Sequence, residues 1–568
     1  MERIARRCLV LAALAAVAGL GCQSADDAVD PDAGAGMDES DKLFDPDEIL
    51  EIAITLDPDD WDLIRHQERS ILDIFGVGCL EQPFASPYTY VKGTVEIDGL
   101  TLNDVGVRKK GFLGSLDDEK PSLKIKFDEY IGGAQLYGLD RLTLNNCKQD
   151  PSLVRQCIGY SLFQGADLPA PRCNFARVSV NGDDLGIYAH VESVKKPYLR
   201  RHFDDDSGNL YEGTLSDFRE GWTGTFEKKT DKDDPGGDDI LALTAALEAD
   251  DDQLVASIDP LLDLEQFYRF WAMEVLVGHW DGYTGNTNNY FVYHDPVSDQ
   301  FHFMPWGIDA ILIEGDEAPE IRSVFATGIL PWRLYRHPET RADYVAELED
   351  LLDTVWDEEA LHAEIDRMEA LLAPYVDDDI ADAIDGVREF VSSQRQHIES
   401  ELSSGPPEWT EELREEICFE EIGELEATFA TSFGSLETVD PFTAGSGTMS
   451  GLIEDVSIEP LAVGAAAGFD AESEDDEMSV VIVPAWMEDE TLLVAFVSTP
   501  SEFLEDGAVI EVDWTSTMVF LMKIWPEEEQ DELIGVLGGG TVELDQASDQ
   551  DGAPITGQLS GPLVYFPF

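Results

Sequence analysis

Apolar and polar residues alternate with a two-residue period over 47–56, which predicts a strand there. Asp57-Pro58-Asp59-Asp60-Trp61 reads as a turn into a short helix, the acid capping and the proline opening it. Residues 88–127 read as strands, with Asp98-Gly99 as the hairpin turn between 94–97 and 100–102. Leu123, Ile125 and Phe127 share one side of the last of these strands, and Lys124 and Lys126 share the other. Residues 150–164 suit a helix started by Asp150-Pro151, and two further strands, 175–180 and 186–191, meet at Asn181-Gly182.

The second half of the chain changes period. Residues 204–260 are acidic and irregular, and read as an insertion. A helix is expected over 261–279, with Phe267, Phe270, Trp271 and Val275 on its apolar side. Residues 290–293 and 300–304 read as a hairpin, and 337–403 as a helical block in which Leu348, Leu351 and Leu352 recur at helical spacing. Gly405-Pro406-Pro407 ends the block, and short strands with Gly, Ser and Pro turns over 424–568 predict a β-sandwich-like domain. The fold class is therefore α+β, in a chain of 568 residues.

Charge narrows the possible partners. With 118 acidic against 36 basic residues the formal net charge is −82, and such a surface repels the phosphates of nucleic acid. The basic residues cluster locally: Arg108, Lys109, Lys110, Lys120, Lys124 and Lys126, then Lys195, Lys196, Arg200 and Arg201. In so acidic a chain such clusters suit a polyanion such as a nucleoside triphosphate, or ordinary surface ion pairing.

The N-terminus has the pattern of an export signal. Arg3, Arg6 and Arg7 precede an apolar run over 8–20, followed by Gly21-Cys22-Gln23. Gly19-Leu20-Gly21-Cys22 looks like a bacterial lipobox, so 1–22 is expected to be a lipoprotein signal with Cys22 lipidated; a plain secretory signal is the other reading. Residues 23–45 read as a flexible acidic tether. The expected location is the bacterial cell envelope, with the membrane reached through the lipid anchor alone. Of the remaining cysteines, Cys79, Cys147, Cys157, Cys173 and Cys418 match no zinc spacing. One or two disulfides with one thiol left over are expected, the pairing open.

The candidate chemistry lies in two short runs. In 280–290 Asp281 and Asn286 stand at Asp-x4-Asn, the spacing that a kinase catalytic loop uses for its base and a metal ligand. Met304-Pro305-Trp306-Gly307-Ile308-Asp309 follows, and Asp309 stands where a metal-binding acid is wanted. No P-loop, Gly-x-Ser-x-Gly or His-Glu-x-x-His pattern is present, which lowers the hydrolase and metalloprotease readings.

Val105-Gly106-Val107-Arg108-Lys109-Lys110-Gly111, Lys120 to Phe127, Leu142-Thr143-Leu144-Asn145-Asn146 and Asp150 to Arg155 resemble the opening of the spore-coat protein H (CotH) kinase family. Val180-Asn181-Gly182 through Tyr188, then Glu192, Gly208 to Glu212, the Asp281 loop and Pro305-Trp306-x-x-Asp309 continue the match over roughly 47–400. The resemblance implies an atypical protein-kinase-like bilobal fold over 46–403: a strand-rich lobe (46–200), the insertion (201–260) and a helical lobe (261–403). It implies transfer of phosphate from ATP, with Mg²⁺ or Mn²⁺, to Ser or Thr of a protein substrate. It casts Asp281 as catalytic aspartate, Asn286 or Asn289 as metal-binding amide and Asp309 as metal-binding acid. Lys124, with Lys126 as the competing choice, becomes the phosphate lysine, beside Arg108 and Lys110. Glu192 falls where the chain turns past the adenine. The family often reads Pro-Trp-Asp-x-Asp, and Gly307 stands in place of the first of these acids. That loss motivates the alternative of a non-catalytic, kinase-like surface binding or structural lipoprotein.

Overall fold

The computed structural model describes residues 39–231, 236–315, 321–376, 380–415, 417–436, 439–470, 478–514, 516–526 and 530–565. The signal segment, Cys22 and most of the expected tether lie outside these residues. The described end of the tether is not loose: Ser40–Leu43 form a helical turn, Leu43 is buried in the first core, and Phe44 stacks on His190 at 4.5 Å.

One unit comprises the described residues of 18–68 together with 80–414. Its first part is a closed barrel of seven strands in the order β1-β2-β3-β4-β5-β7-β6. They are β1 (Ile49–Leu56), β2 (Val91–Ile97), β3 (Leu100–Lys109), β4 (Leu123–Lys126), β5 (Arg141–Asn145), β6 (Cys173–Val180) and β7 (Asp183–Val191). The two-residue period is what closes it. Inward residues such as Ile52, Ile54, Val95, Ile125, Leu144 and Val178 fill one core, while β1 pairs antiparallel with β2 and parallel with β6. Both hairpin turns form as read, with Asp98 at φ 46° and Asn181 at φ 55°, the left-handed geometry that two-residue hairpins need.

The 150–164 expectation is corrected at its start. The helix runs Arg155–Gly165, and Asp150 closes a turn before it, accepting from the Arg155 N–H at 2.9 Å. Residues 204–260 are not an irregular insertion either. They contribute β8 (Asn209–Gly213), β9 (Glu227–Lys228) and the helices Asp238–Ala246 and Leu254–Ile258. β8 is a central strand of a sheet ordered β11-β10-β8-β9, where β10 is Tyr290–Asp295 and β11 is Gln300–Pro305. Acidic residues masked the pattern because they cover one face of elements whose other face, including Leu210, Ile240, Leu243 and Leu254, enters the main core. Helix Leu264–Leu276, capped by Asp263, lies in that core with Phe267, Phe270 and Trp271 fully buried. Helices Ile329–Arg336, Pro338–Thr354, Glu358–Leu372 and Ile380–Leu402 complete it.

The other unit comprises 69–79 and the described residues from 415 onward. A disulfide between Cys79 and Cys418 ties the early excursion to the C-terminal strands. The sandwich expectation is corrected. Twelve strands form one hydrogen-bonded sheet, and the long strand Pro554–Tyr565 pairs with Glu420–Ser432 and also with Gln530–Leu537 and Thr541–Gln546. The sheet curls, so Leu425, Val483, Ala495, Leu521 and Leu559 meet in a single interior.

Cys157 and Cys173 form the second disulfide, and among the described residues buried Cys147 is the free thiol. Among the described residues no helix is long and apolar enough to cross a membrane. The Cys157–Cys173 link joins helix Arg155–Gly165 to β6 across a sequence separation of 16. Replacing both cysteines by Ser is expected to cost about 3 kcal/mol, read as a lower denaturant midpoint with an unchanged slope.

Candidate functional site

Asp281 follows helix Leu264–Leu276 directly, and the chain then forms one helical turn, Tyr283–Asn286, before entering β10. That turn is held from beneath by Glu274 of the preceding helix. Its carboxylate accepts from the Tyr283 N–H at 3.0 Å, the Thr284 N–H at 2.8 Å and the Thr284 hydroxyl at 2.7 Å. Glu274 is fully buried, so these donors compensate a group that would otherwise be costly to desolvate. Gly282 is needed here, because a Cβ would stand 2.2 Å from Glu274 Oε1. A second acid, buried Asp217, accepts from the Tyr283 hydroxyl at 3.0 Å and from the Ile329 N–H at the start of helix Ile329–Arg336.

Three asparagine amides converge on the carboxylate of Asp281. Asn286 Nδ2 donates to Oδ1 at 2.6 Å, Asn288 Nδ2 to the same oxygen at 3.3 Å, and Asn289 Nδ2 to Oδ2 at 2.7 Å. Burial pushes the Asp281 carboxyl up to about 7; the amide donors and nearby His279 act against it, and Asp309 adds to it. Asp309, partly buried after β11, is likewise pushed up to about 6 by burial, with Lys110 and His279 pulling down and Asp150 pushing up. The β10–β11 hairpin brings these two acids together: its register sets Tyr290 opposite Pro305.

The two candidate amides are not equivalent. Asn286 Oδ1 accepts from Arg414 Nη2 at 2.5 Å, whereas Asn289 Oδ1 is buried and has no hydrogen-bond partner among the described residues. Gly307 explains the second arrangement. It sits at φ 54°, and a Cβ there would stand 2.4 Å from Asn289 Oδ1. The residue that looked like a lost carboxylate is the space into which the Asn289 amide fits.

The cationic side of the site comes from the barrel. Lys124 stands on its outer face, opposite Arg108 in the register of β3 and β4, and among the described residues it makes no ion pair. Burial lowers its pKa well below the ordinary lysine value, and Arg108, Arg141, Lys195 and Lys229 lower it further. Lys195 follows β7 and Lys229 follows β9, so charges from two different parts of the chain act on Lys124. Lys229 is itself paired, at 2.5 Å, with both Glu212 and Glu227. Arg108 is buried beside the Tyr90 ring, at 5.2 Å. Lys110 donates to Asn145 Oδ1, and Asn145 donates to Gln156 at 2.6 Å.

Two sequence-named residues stand differently. Lys126 is paired with Glu129 at 3.1 Å, which leaves Lys124 as the lysine without an acid. Glu192 is buried and clamped between Arg172, at 2.7 Å, and Arg201, joining β6, β7 and helix Lys196–His202. Its carboxylate is thus held by two guanidinium groups of the protein. A cavity of about 490 Å³ between β8–β9 and helix Asp238–Ala246 contains none of the sequence-named site residues.

The model of the CotH kinase protein family matches residues 107–399, just over half of the chain. The chain belongs to the CotH kinase family. Inner spore coat protein H of Bacillus subtilis is 26% identical over 295 residues, covering 47% of this chain and 79% of that protein. Invasins CotH7 and CotH2 of Rhizopus delemar are 24% and 23% identical, and the chain covers only 42% and 33% of them. A solved structure, the proinflammatory kinase CtkA of Helicobacter pylori, aligns with 49% of this chain and 90% of its own at 9% identity and a TM-score of 0.27, too low to bear on the fold.

Within this CotH member, sequence reasoning missed Glu274, His279, Asp217 and Arg414. Two had a signal. Glu274 is an acid on the apolar face that carries Phe270 and Trp271, directly before the Asp281 loop. His279-Trp280-Asp281 with Asn286 reproduces the His-x-Asp-x4-Asn spacing of a kinase catalytic loop. His279 is buried, with Nδ1 3.4 Å from Glu274 Oε1.

Restoring the family's usual acid by Gly307→Asp is expected to lower stability by about 1–3 kcal/mol, since it forces a side chain into a left-handed site and displaces Asn289. It is not expected to improve metal binding; calorimetry with Mg²⁺ or Mn²⁺ checks this. The raised Asp309 pKa also has a definite sign. The folded state holds this proton more tightly than the unfolded chain, so the stabilisation is present at low pH and lost as pH rises through about 6. Compared with Asp309→Asn, the metal-free wild type should lose melting temperature between pH 5 and 7.

Proposed function

We propose that this CotH-family chain is an extracytoplasmic atypical kinase that transfers phosphate from ATP to Ser or Thr of a protein, on a bilobal kinase-like fold. The observation that carries the reading is the pairing of two unbalanced groups of charge. Lys124 is a buried lysine with no acid of its own among the described residues, in a cationic cluster, while Asp281 is a buried acid and the partly buried Asp309 stands close enough to raise it further. A nucleotide polyphosphate complements the first group and a divalent cation the second.

Among the described residues no group of three or more His, Cys, Asp or Glu forms a ready-made metal cage. That suits Mg²⁺ or Mn²⁺ in a phosphotransferase, where one or two protein oxygens join waters and substrate phosphates. Asp309 and the unpartnered Asn289 Oδ1 are the donors that fit, and the ion would neutralise charge developing on the phosphates. Asn286, whose oxygen is taken by Arg414, is assigned to holding Asp281 instead. Asp281 orients the acceptor hydroxyl and takes its proton; with its pKa near 7 it exchanges a proton readily at neutral pH. Lys124, Arg108 and Lys110 hold the phosphates.

Export fits the two disulfides, which persist in oxidising compartments. With the signal segment they support lipid anchoring through Cys22 in the cell envelope. The net charge of −82 disfavours nucleic acid as a partner.

Purified protein with ATP labelled on the terminal phosphate and Mg²⁺ or Mn²⁺ is expected to label itself or a generic protein acceptor. Asp281→Ala and Asp309→Ala should each reduce transfer at least 100-fold, and Lys124→Met should weaken ATP binding at least tenfold. Labelling that survives both aspartate substitutions would falsify the assignment and favour a non-catalytic binding role.

A further inference from the structure

Arg414 lies beyond the segment that the family model matches, yet its guanidinium reaches the Asp281 loop. We propose that Arg414 is a positioning residue for Asp281, which it holds through the side-chain amide of Asn286. The inference rests on the kinase reading for its consequence in catalysis and on geometry alone for the contact.

An asparagine amide has an oxygen end and a nitrogen end of nearly equal size, and only its partners decide which way it faces. At Asn286 both ends meet a charge. The oxygen accepts from the Arg414 guanidinium at 2.5 Å, and the nitrogen donates to the Asp281 carboxylate at 2.6 Å. Turning the amide over would set its NH₂ against a cation and its oxygen against an anion. Both contacts are charge-assisted in the observed orientation, and both would be repulsive in the other. Asn286 is thus a connector of fixed polarity, and Arg414 is the group that fixes it. Asn288 and Asn289 contact the same carboxylate, but neither receives a side-chain cation in turn.

The segment that delivers Arg414 is anchored along helix Ile329–Arg336. The Tyr335 hydroxyl donates to the Pro407 carbonyl at 2.8 Å, Trp332 Nε1 to the Glu411 carbonyl at 3.2 Å, and Arg336 pairs with Glu412 at 3.2 Å. Arg219 then donates to the Arg414 carbonyl and is itself bound to Asp217 at 3.0 Å. Because Asp217 also accepts from Tyr283, in the same helical turn as Asn286, the contacts close a ring: Arg414, Asn286, Tyr283, Asp217, Arg219 and back to Arg414. Such a ring resists movement of the loop in a way that a single contact does not.

The test compares wild type, Arg414→Ala and Arg414→Lys in the full chain. Hydrogen exchange is followed at the backbone amides of Asn286, Thr287 and Asn288, which donate within the loop at 2.8, 3.1 and 3.2 Å. Arg414→Ala is expected to speed their exchange about tenfold while β1 and β6 keep their protection, and Arg414→Lys to restore part of it. In phosphoryl transfer, Arg414→Ala is expected to lower kcat about 10- to 100-fold with KM for ATP nearly unchanged. Added to Asn286→Ala it should lower kcat little further, because the arginine acts through that amide. Unchanged loop exchange, or losses that multiply fully in the double variant, overturns the proposal. Wild type that transfers no phosphate overturns the kinase reading instead, while the exchange result still decides whether Arg414 orders the loop.

Discussion

The carboxylate of Asp281 is the constraint around which its loop and the elements packed against it are arranged. It is buried, it lies near a second acid, and among the described residues no cation is bonded directly to it. An isolated charge in such a place is expensive, so its oxygens must be satisfied by aimed donors. Three asparagines from the next eight residues supply them, and the loop must then be compact enough for all three to turn inward. That requirement explains the single helical turn at Tyr283–Asn286, the glycine at 282 and the left-handed backbone at Thr287 and Asn289. It also explains why a fully buried glutamate is tolerated in helix Leu264–Leu276: Glu274 takes up the N–H groups that the turn leaves over.

The barrel has the opposite imbalance. Closing seven strands puts the apolar side of β4 inside and leaves Lys124 on the outside of the barrel, where it is nevertheless buried. Arg108 faces it in the β3–β4 register, Arg141 stands on β5 opposite Lys126, and Lys195 after β7 and Lys229 after β9 add their charge. Nearby charge pairs, such as Lys229 with Glu212 and Glu227 or Glu192 with Arg172 and Arg201, are complete within themselves. Among the described residues Lys124 has no such acid, and the buried oxygen of Asn289 is one of the side-chain atoms left without a hydrogen bond. Groups left unmatched while their neighbours are matched are where a ligand has something to contribute, which is the physical content of the kinase proposal.

Gly307 shows how a motif can mislead when read one residue at a time. Against the family pattern it is an absent acid. In the fold its missing side chain and its backbone angle let the Asn289 amide pack against it, with the oxygen left over. The position was legible in the sequence, but its meaning depends on a residue eighteen positions earlier that only the β10–β11 hairpin brings alongside.

Periodicity alone was enough for the barrel strands other than β5, the two hairpin turns and the helix before Asp281, because side-chain alternation and left-handed turn residues are local properties. The order of Lys124, Asp281 and Asp309 was also legible, and with it the family. Local pattern did not reveal that β8 lies inside the second sheet, since its acidic surroundings hid a buried face. Nor did it show that the C-terminal strands form one curled sheet, because strand partners are chosen across the chain. The difference between Asn286 and Asn289 likewise exists only in three dimensions. Both residues have the same chemistry and nearly the same position, and what separates them is that one oxygen meets Arg414 and the other, among the described residues, accepts no hydrogen bond.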